Sequence, residues 1–443
     1  MPHRLETVEA VYARLLEFVN FEKGQSVDFK FDRVRTLLAE LGNPEASLPC
    51  LHVAGSKGKG SVSTMLARVL EASGRKTGLY TSPHLIDFSE RISRAGDGLG
   101  DGFLLSAWDR LGPLVDGKRA ADWPGGMEPT FFELATVLGF LSFVEAGMDA
   151  AVYEVGMGGR LDTTNVVSPE AVAITAIELE HTEFLGNTIA EIAFEKAGII
   201  KPGVPAFTGA TRPEALEVFR RVAAERGASL RVLDEECSVS ELRIDRRGTE
   251  ALLTFRDRAI FPEPLRVRTP IIGAVQARNA ALAALVARAS TFACPPEAVV
   301  EGLASARIRA RFELLPAEPA IVLDGAHTPE SVAFALESFR SIFPEGGVLV
   351  FACAHDKRHP EMALALSRGF DSAIVTKPGT FKQSDPGAVE ASFRAAGFRT
   401  ELVADTAEAL REGRRRSAAS GKPLLVLGSF YLAAEAAKLF DGA

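Results

Sequence analysis

The segment Gly55-Ser-Lys-Gly-Lys-Gly-Ser61 limits the folds open to this chain more than any other stretch. Cys50-Leu-His-Val-Ala54 precedes it, an apolar run that reads as a buried strand. After it, Val62, Met65, Leu66, Val69 and Leu70 fall on one helical stripe within Ser61 to Ser73, and Gly74 ends that stretch. Thr77-Gly-Leu-Tyr80 returns as a strand, which completes a βαβ unit. Glycines between a strand and a helix let several N–H groups curl inward, and the helix N-terminus adds partial positive charge. Such a turn is built to cradle phosphate. In this reading Gly55, Ser56, Lys57, Gly58 and Gly60 form the cradle, and Lys59 reaches the outer phosphates. The Ser61 hydroxyl is placed to ligate Mg2+. Gly60 stands between the lysine and the hydroxyl residue, so the spacing is not that of the common Walker A loop.

Short apolar runs go on alternating with longer helical patterns, which indicates an α/β chain with a largely parallel sheet. Phe131 to Ala146 reads as an apolar helix with Thr130 as its N-cap, and Asp149 to Val155 and Ala171 to Ile177 read as strands. Residues 99 to 129 read as a short helix between loops. Thr188 to Gly198, Glu214 to Arg226 and Ala274 to Ser290 read as helices. Residues 238 to 270 carry short alternating runs, such as Glu241 to Asp245 and Ala251 to Phe255, and suggest an antiparallel insertion or edge. Ser305 to Arg311 is a polar, basic break, after which Ala320 to Leu323, Val348 to Ala352, Ala373 to Thr376 and Leu424 to Leu427 read as strands. At 443 residues the chain exceeds what one core fills, roughly 250–300 residues. Two domains are expected: residues 1–304, Rossmann-like with a phosphate loop and a mostly parallel sheet, and a smaller α/β domain at 305–443.

The net charge of −8 and the pI of about 5.6 argue against a non-specific nucleic-acid binder. Any anionic ligand must be met by local cations and backbone N–H groups. Met1 to Phe18 has no apolar core of signal-peptide length, and Phe131 to Val144 is too short for a membrane span and carries Glu133. Cys50, Cys237, Cys294 and Cys353 form no C-x-x-C pair and read as buried free thiols in a reducing cytosol. The seven histidines, His3 among them, give no H-E-x-x-H zinc pattern. Arg414-Arg415-Arg416 reads as a solvated helix face.

Two later loops are polar where a core chain should not be. Glu154 lies at a strand end, with Gly156, Gly158 and Gly159 permitting a tight turn over a ligand. Glu180-His-Thr-Glu-Phe-Leu-Gly186 is followed by Phe194-Glu-Lys-Ala-Gly198. Ligands of open parallel sheets bind beyond the carboxyl ends of the strands, so both loops should converge with the phosphate loop. Glu154 and His181 are then candidate metal ligands; an isolated Glu or His at such a place is more often structural or exposed.

These motifs occur in order along the chain: Gly55 to Ser61, Tyr80-Thr-Ser-Pro-His-Leu85, Glu90-Arg-Ile92, Glu154 to Val166, His181 to Gly186, Glu195 to Gly203, Leu323-Asp-Gly-Ala-His-Thr-Pro329 and Val426-Leu-Gly-Ser-Phe430. The series, from about residue 10 to the C-terminus, resembles the folylpolyglutamate synthase and dihydrofolate synthase family within the Mur ligase superfamily. The resemblance implies ATP as co-substrate, with Gly55, Ser56, Lys57, Gly58, Lys59, Gly60 and Ser61 around its phosphates and Mg2+ held by Ser61, Glu154 and His181. It implies an adenine contact from Asn279, nucleotide contacts from Asp324 and His327, and an inter-domain arginine, Arg311, on the phosphates. Lys59, His181, Lys196 and Arg311 take the catalytic roles. Lys196 matches a lysine carbamylated in many members, which would turn a cation into an oxygen-bearing anion; the alternative is an unmodified Lys196 paired to Glu195 or Glu191. Thr81, Ser82, Pro83, His84, Arg91, Asp162 and Ser429 fall to the substrates. Asp324 has a plainer alternative, as N-cap of the helix that begins near Pro329.

This chain departs from the family at three positions. Lys57 and Thr328 stand where many bacterial members have Asn, and Glu180 stands where Asp commonly precedes the histidine. The implied reaction uses ATP to phosphorylate the carboxylate of a folate or dihydropteroate, after which the amine of L-glutamate displaces phosphate. A monomer in the cytoplasm, with neither nucleic acid nor membrane as partner, is expected. Adding glutamate to dihydropteroate and lengthening folate polyglutamates are not separated by the sequence. A Mur-type ligase for a non-folate acid and a nucleotide-dependent binding protein without ligase activity are the competing readings.

Overall fold

A computed structural model of the chain describes residues 5–20, 31–379 and 383–440. His3 and the first four residues of the N-terminal segment lie outside the described residues. Two compact units emerge: Met1–Glu241, Ala251–Arg268 and Ala277–Ala306 form the first, and Leu242–Glu250, Thr269–Gln276 and Arg307–Ala443 the second.

The first unit is built on strands β1 (Cys50–Ala54), β2 (Thr77–Tyr80), β3 (Ile92–Arg94), β4 (Asp97–Gly98), β5 (Ala150–Glu154), β6 (Ala171–Ile174), β7 (Ala206–Thr208) and β8 (Leu230–Val232). They form one sheet in the order β4-β3-β2-β5-β1-β6-β7-β8. The pairs from β2 through β8 are parallel, and only β3 and β4 run antiparallel at one edge. All residues of β1, β2, β5 and β6 are buried, which is why these strands read as unbroken apolar runs. The helix Lys59–Ala72 follows β1 and packs against Pro296–Ser305. Gly302 allows that approach, because a Cβ there would lie 2.4 Å from the Val69 Cα. The helix Phe131–Glu145 begins with the expected Thr130 cap, and Glu133 closes a capping box back onto the Thr130 N–H at 2.7 Å. Glu133 also holds Arg33 at 3.1 Å, both side chains almost fully buried. Asp101–Asp116 is a helix of 16 residues, longer than the short helix expected between 99 and 129.

Strands β9 (Cys237–Asp245), β10 (Gly248–Phe255) and β11 (Leu265–Thr269) form a separate three-stranded sheet in the order β11-β10-β9, where alternating runs predicted an insertion. The second unit carries β12 (Glu313–Leu315), β13 (Ile321–Leu323), β14 (Val348–Phe351), β15 (Ser372–Val375), β16 (Arg399–Leu402) and β17 (Leu424–Leu427). Their order is β12-β13-β17-β14-β15-β16, parallel except for β12 against β13. Val322, Phe339, Phe351, Phe393, Leu425 and Leu427 lie at the centre of its core. The mixed α/β class, with a large, mostly parallel N-terminal sheet and a second α/β unit, is the one the sequence predicts. Within Arg414-Arg415-Arg416, Arg415 and Arg416 face Glu412 on the helix Thr406–Ser420, whereas Arg414 donates to the carbonyls of Pro319 and Glu318 at 2.9 and 3.0 Å. Arg414 therefore pins a loop rather than facing water alone.

Candidate active site

Strand β1 lies between β5 and β6, and the register sets Val53 beside Glu154 and Ala54 beside Ile174. The loops that leave these three strands therefore start level at one sheet edge. The Gly55–Ser61 loop is held from the β6 side: the Ser56 N–H donates to the Ala176 carbonyl at 2.8 Å, and Thr175 Oγ1 donates to the Lys57 carbonyl at 2.7 Å. Ser56 Oγ reaches the Glu178 carbonyl at 3.1 Å. Two glycines are obligatory here. Gly55 has φ +145° and a Cβ on it would sit 1.8 Å from Thr175 Oγ1; Gly58 has φ +89° where the helix begins, with Asn279 Oδ1 2.9 Å from the place of its Cβ. Asn279 thus lies over the loop. Lys59 Nζ donates to the Gly55 and Ser56 carbonyls at 3.0 and 3.5 Å, and Ser61 is buried in the first helical turn.

Behind the loop, the buried Lys196 donates to the Gly55 carbonyl at 2.8 Å and to Glu180 Oε1 at 2.9 Å. Its partner is therefore Glu180, not Glu195 or Glu191. Glu195 is taken by Arg160 at 2.8 Å, and Glu191 closes the cap of its own helix with Thr188. Burial pulls the Lys196 ammonium down to about 8 against the attraction of Glu180. Burial also raises Glu180, but Lys196, Lys59 and Lys57 together outweigh it and bring that carboxyl down to about 2, so the pair is ionised near neutrality. Glu154 is buried at the end of β5, and its Oε2 accepts the Ser82 N–H at 3.3 Å. His181 is exposed, in the left-handed region at φ +47°, just before the short helix Thr182–Leu185. No group of three or more His, Cys, Asp or Glu side chains is arranged to hold a metal ion among the described residues.

The segment Thr81 to Arg91 curls beside Glu154. Glu90 organises it, accepting the N–H groups of Leu85, Ile86 and Asp87 at 2.6, 2.9 and 2.9 Å. Arg91 is fully buried, donates to His84 Nδ1 at 2.8 Å and lies 5.2 Å from the Phe131 ring centre. Tyr12 stacks on Phe88 at 5.2 Å and meets His84 edge-on. Pro83 is exposed and Thr81 and Ser82 are half-buried. Asp162 turns inward, accepting the Met157 and Thr164 N–H groups at 2.9 and 3.0 Å and the Thr164 hydroxyl at 2.5 Å. The roles of Thr175, Glu178 and Glu90 were not read from the sequence, since each acts through a turn whose shape only the fold defines.

In the second unit, the ends of β13 and β17 bring Asp324, Ser429 and Phe430 together with Arg311, which precedes the antiparallel β12. Arg311 lies 5.3 Å from the Phe430 ring centre. Burial raises the Asp324 carboxyl, and the Arg311 charge opposes that. Asp324 accepts the Phe312 and Ala326 N–H groups at 2.9 and 2.7 Å, while Thr328 caps the helix Pro329–Ile342. The N-cap alternative for Asp324 is thereby replaced by Thr328. Ala310 and Phe312, on either side of Arg311, have φ +52° and +48°, a strained corner of the kind concentrated at functional sites. His327 Nδ1 lies 2.8 Å from the Gly325 carbonyl, and the buried Ser429 Oγ accepts the Tyr431 N–H at 3.2 Å.

A model of the Mur ligase glutamate ligase domain matches residues 310–430, and one of the Mur ligase middle domain matches residues 117–287. Folylpolyglutamate synthase of Lacticaseibacillus casei is 34% identical over 417 residues, which cover 90% of this chain and 92% of the relative. The chain belongs to the folylpolyglutamate synthase family of the Mur ligase superfamily. Crystallised Mycobacterium tuberculosis folylpolyglutamate synthase, complexed with ADP and AMPPCP, shares the family fold with a TM-score of 0.87 at 29% identity and 98% coverage of both chains. A probable bifunctional folylpolyglutamate synthase/dihydropteroate synthase of Haloferax volcanii is 38% identical over 432 residues, 94% of this chain. The chain spans about half the length of that relative, 50%.

Proposed function

We propose that this protein is an ATP-dependent ligase that joins L-glutamate to the carboxylate of a folate or dihydropteroate through an acyl phosphate. The observation that carries the reading is the convergence at one sheet edge: the Gly55–Ser61 loop on β1, Glu154 on β5 and the Glu180–Lys196 pair beyond β6. A carboxylate is a poor electrophile, and phosphorylation gives it a leaving group. A carboxylate oxygen attacks the terminal phosphorus of ATP and ADP departs. The glutamate amine then attacks the acyl carbon, loses a proton and expels phosphate.

Two anions must meet in the first step, so charge stabilisation and positioning dominate catalysis. Loop N–H groups and Lys59 serve that purpose, and the Lys59 ammonium need only leave two loop carbonyls to reach a phosphate. Lys196 braces the loop through the Gly55 carbonyl. The Ser61 hydroxyl and the Glu154 carboxylate are buried oxygen ligands that would suit Mg2+, and His181 would be the further protein ligand. When bound, the ion neutralises phosphate charge. Arg311 is assigned to the transferring phosphoryl group, and Asp324 and His327 to the nucleotide. Thr81 to Arg91 and the loop around Asp162 are assigned to the acid. The four buried free cysteines suit a reducing cytoplasm, where the enzyme is proposed to act as a monomer. ADP release measured with each substrate omitted in turn tests the proposal. Release should require both L-glutamate and a pteroyl acid; equal release without either would refute it.

A further inference from the structure

His52 lies in the middle of β1, fully buried between Tyr153 of β5 and Val172 of β6. An apolar residue would fill that place without a polar ring to satisfy. Its Nε2 is 2.8 Å from Thr164 Oγ1, and its Nδ1 is buried with no hydrogen-bond partner. Thr164 has a single hydroxyl proton, and it is directed to Asp162 Oδ1 at 2.5 Å. Thr164 Oγ1 must then accept from His52, so the imidazole carries its proton on Nε2. Burial lowers His52 to about 3, which keeps the ring neutral and fixes it as a one-proton donor. Asp162 is filled by donors from within: the Met157 and Thr164 N–H groups and the Thr164 hydroxyl. Each of these bonds closes the loop that runs from Gly156 to Asn165.

The far end of the loop is tied down separately. Lys201 Nζ donates to the Asn165 carbonyl at 2.6 Å, and Asn165 Nδ2 donates to the Gly198 and Arg160 carbonyls at 3.2 and 3.1 Å. The near end follows β5 directly. Between those anchors, Arg160 is held to Glu195 on the neighbouring helix, and the link to β1 runs from His52 to Thr164 to Asp162.

We infer that His52 is a positioning residue for acid recognition, holding the Gly156–Asn165 loop in its binding shape through Thr164 and Asp162. Asp162 serves as the hub of that loop. This rests on the proposed assignment of the loop to the acid substrate.

The test uses the full chain with His52→Leu, His52→Gln, Thr164→Val and Thr164→Ser. Glutamine can offer an N–H near the place of Nε2, and serine keeps the hydroxyl. Steady-state KM for the pteroyl acid and for ATP, and hydrogen exchange of the 156–165 segment without substrate, are measured on each. His52→Leu and Thr164→Val should raise KM for the acid about 5-fold, the worth of one hydrogen bond, with KM for ATP unchanged. Exchange of the segment should speed up in both variants, and Gln and Ser should restore it. If His52→Leu does not fold, the Thr164 pair decides. Exchange unchanged in the Leu and Val variants, or equal shifts in both KM values, overturns the inference. If the wild-type chain shows no glutamate-dependent turnover, the proposed function fails, while the exchange result still decides the relay.

Discussion

At the scale of single residues, the assigned charges differ in what their loss should do. Among the described residues Lys59 Nζ donates to the Gly55 and Ser56 carbonyls, so on the proposed role Lys59→Ala should abolish ATP turnover and leave the melting temperature nearly unchanged. Turnover near wild type in the folded variant would remove Lys59 from the mechanism. Glu154→Gln keeps the size of the side chain and removes its charge, so the Mg2+ concentration for half-maximal activity should rise sharply. His181→Ala should do the same; an unchanged Mg2+ titration in both would exclude them as ligands. The strand–turn–helix unit around Gly55–Ser61 was legible because strand, glycines, lysine and helix are contiguous in sequence. The Glu180–Lys196 pair was not, because its members stand 16 residues apart and meet only through the fold. The inward turn of Asp162 was equally hidden, since its ligands are backbone N–H groups that sequence does not display.

At the scale of elements, the loop and the N-terminal ion pair make separate demands on stability. Gly55→Ala would drive a methyl into Thr175, and its φ of +145° strains any L residue. ATP binding, read by calorimetry, should be lost or strongly weakened; wild-type affinity would show that the loop tolerates another shape. Arg33 and Glu133 are buried together, and removing one partner strands a charge. Arg33→Leu should cost on the order of 3–5 kcal/mol in chemical denaturation, and a loss below about 1 kcal/mol would show that water reaches the site. Central strands were readable as apolar runs because both of their faces are covered. Strands at or next to the sheet edges, such as Ile92–Arg94, Asp97–Gly98 and Leu230–Val232, are two or three residues long and mixed in polarity, so no periodicity announces them. The helix Asp101–Asp116 was underestimated because Gly102, Gly112 and Pro113 break its pattern, yet Leu104, Ala107, Trp108, Leu111 and Val115 bury one face.

At the scale of the whole molecule, the proposed ligation gives the second unit a part in the chemistry and not only in folding. Arg311 sits in a strained corner beside Asp324 and Phe430. If it acts on the transferring phosphoryl group, Arg311→Ala should lower kcat on the order of 10²-fold, with a smaller loss of ATP affinity. Arg311→Lys should recover only part, since lysine keeps the charge and loses the planar fork. A fall in melting temperature with turnover per folded molecule unchanged would make Arg311 a structural partner of Asp324 instead. Ligation through an acyl phosphate leaves an isotopic trace in the released phosphate. Dihydropteroate or tetrahydrofolate labelled with heavy oxygen in the carboxylate that is to be joined is incubated with the enzyme, ATP, Mg2+ and L-glutamate. Mass spectrometry then reads both the pteroyl product and the released phosphate. The expected result is a product heavier by one glutamyl residue, and phosphate that has gained one heavy oxygen for each amide bond formed. Unlabelled phosphate alongside amide formation, or ADP release with no glutamyl product from either acid, would contradict it.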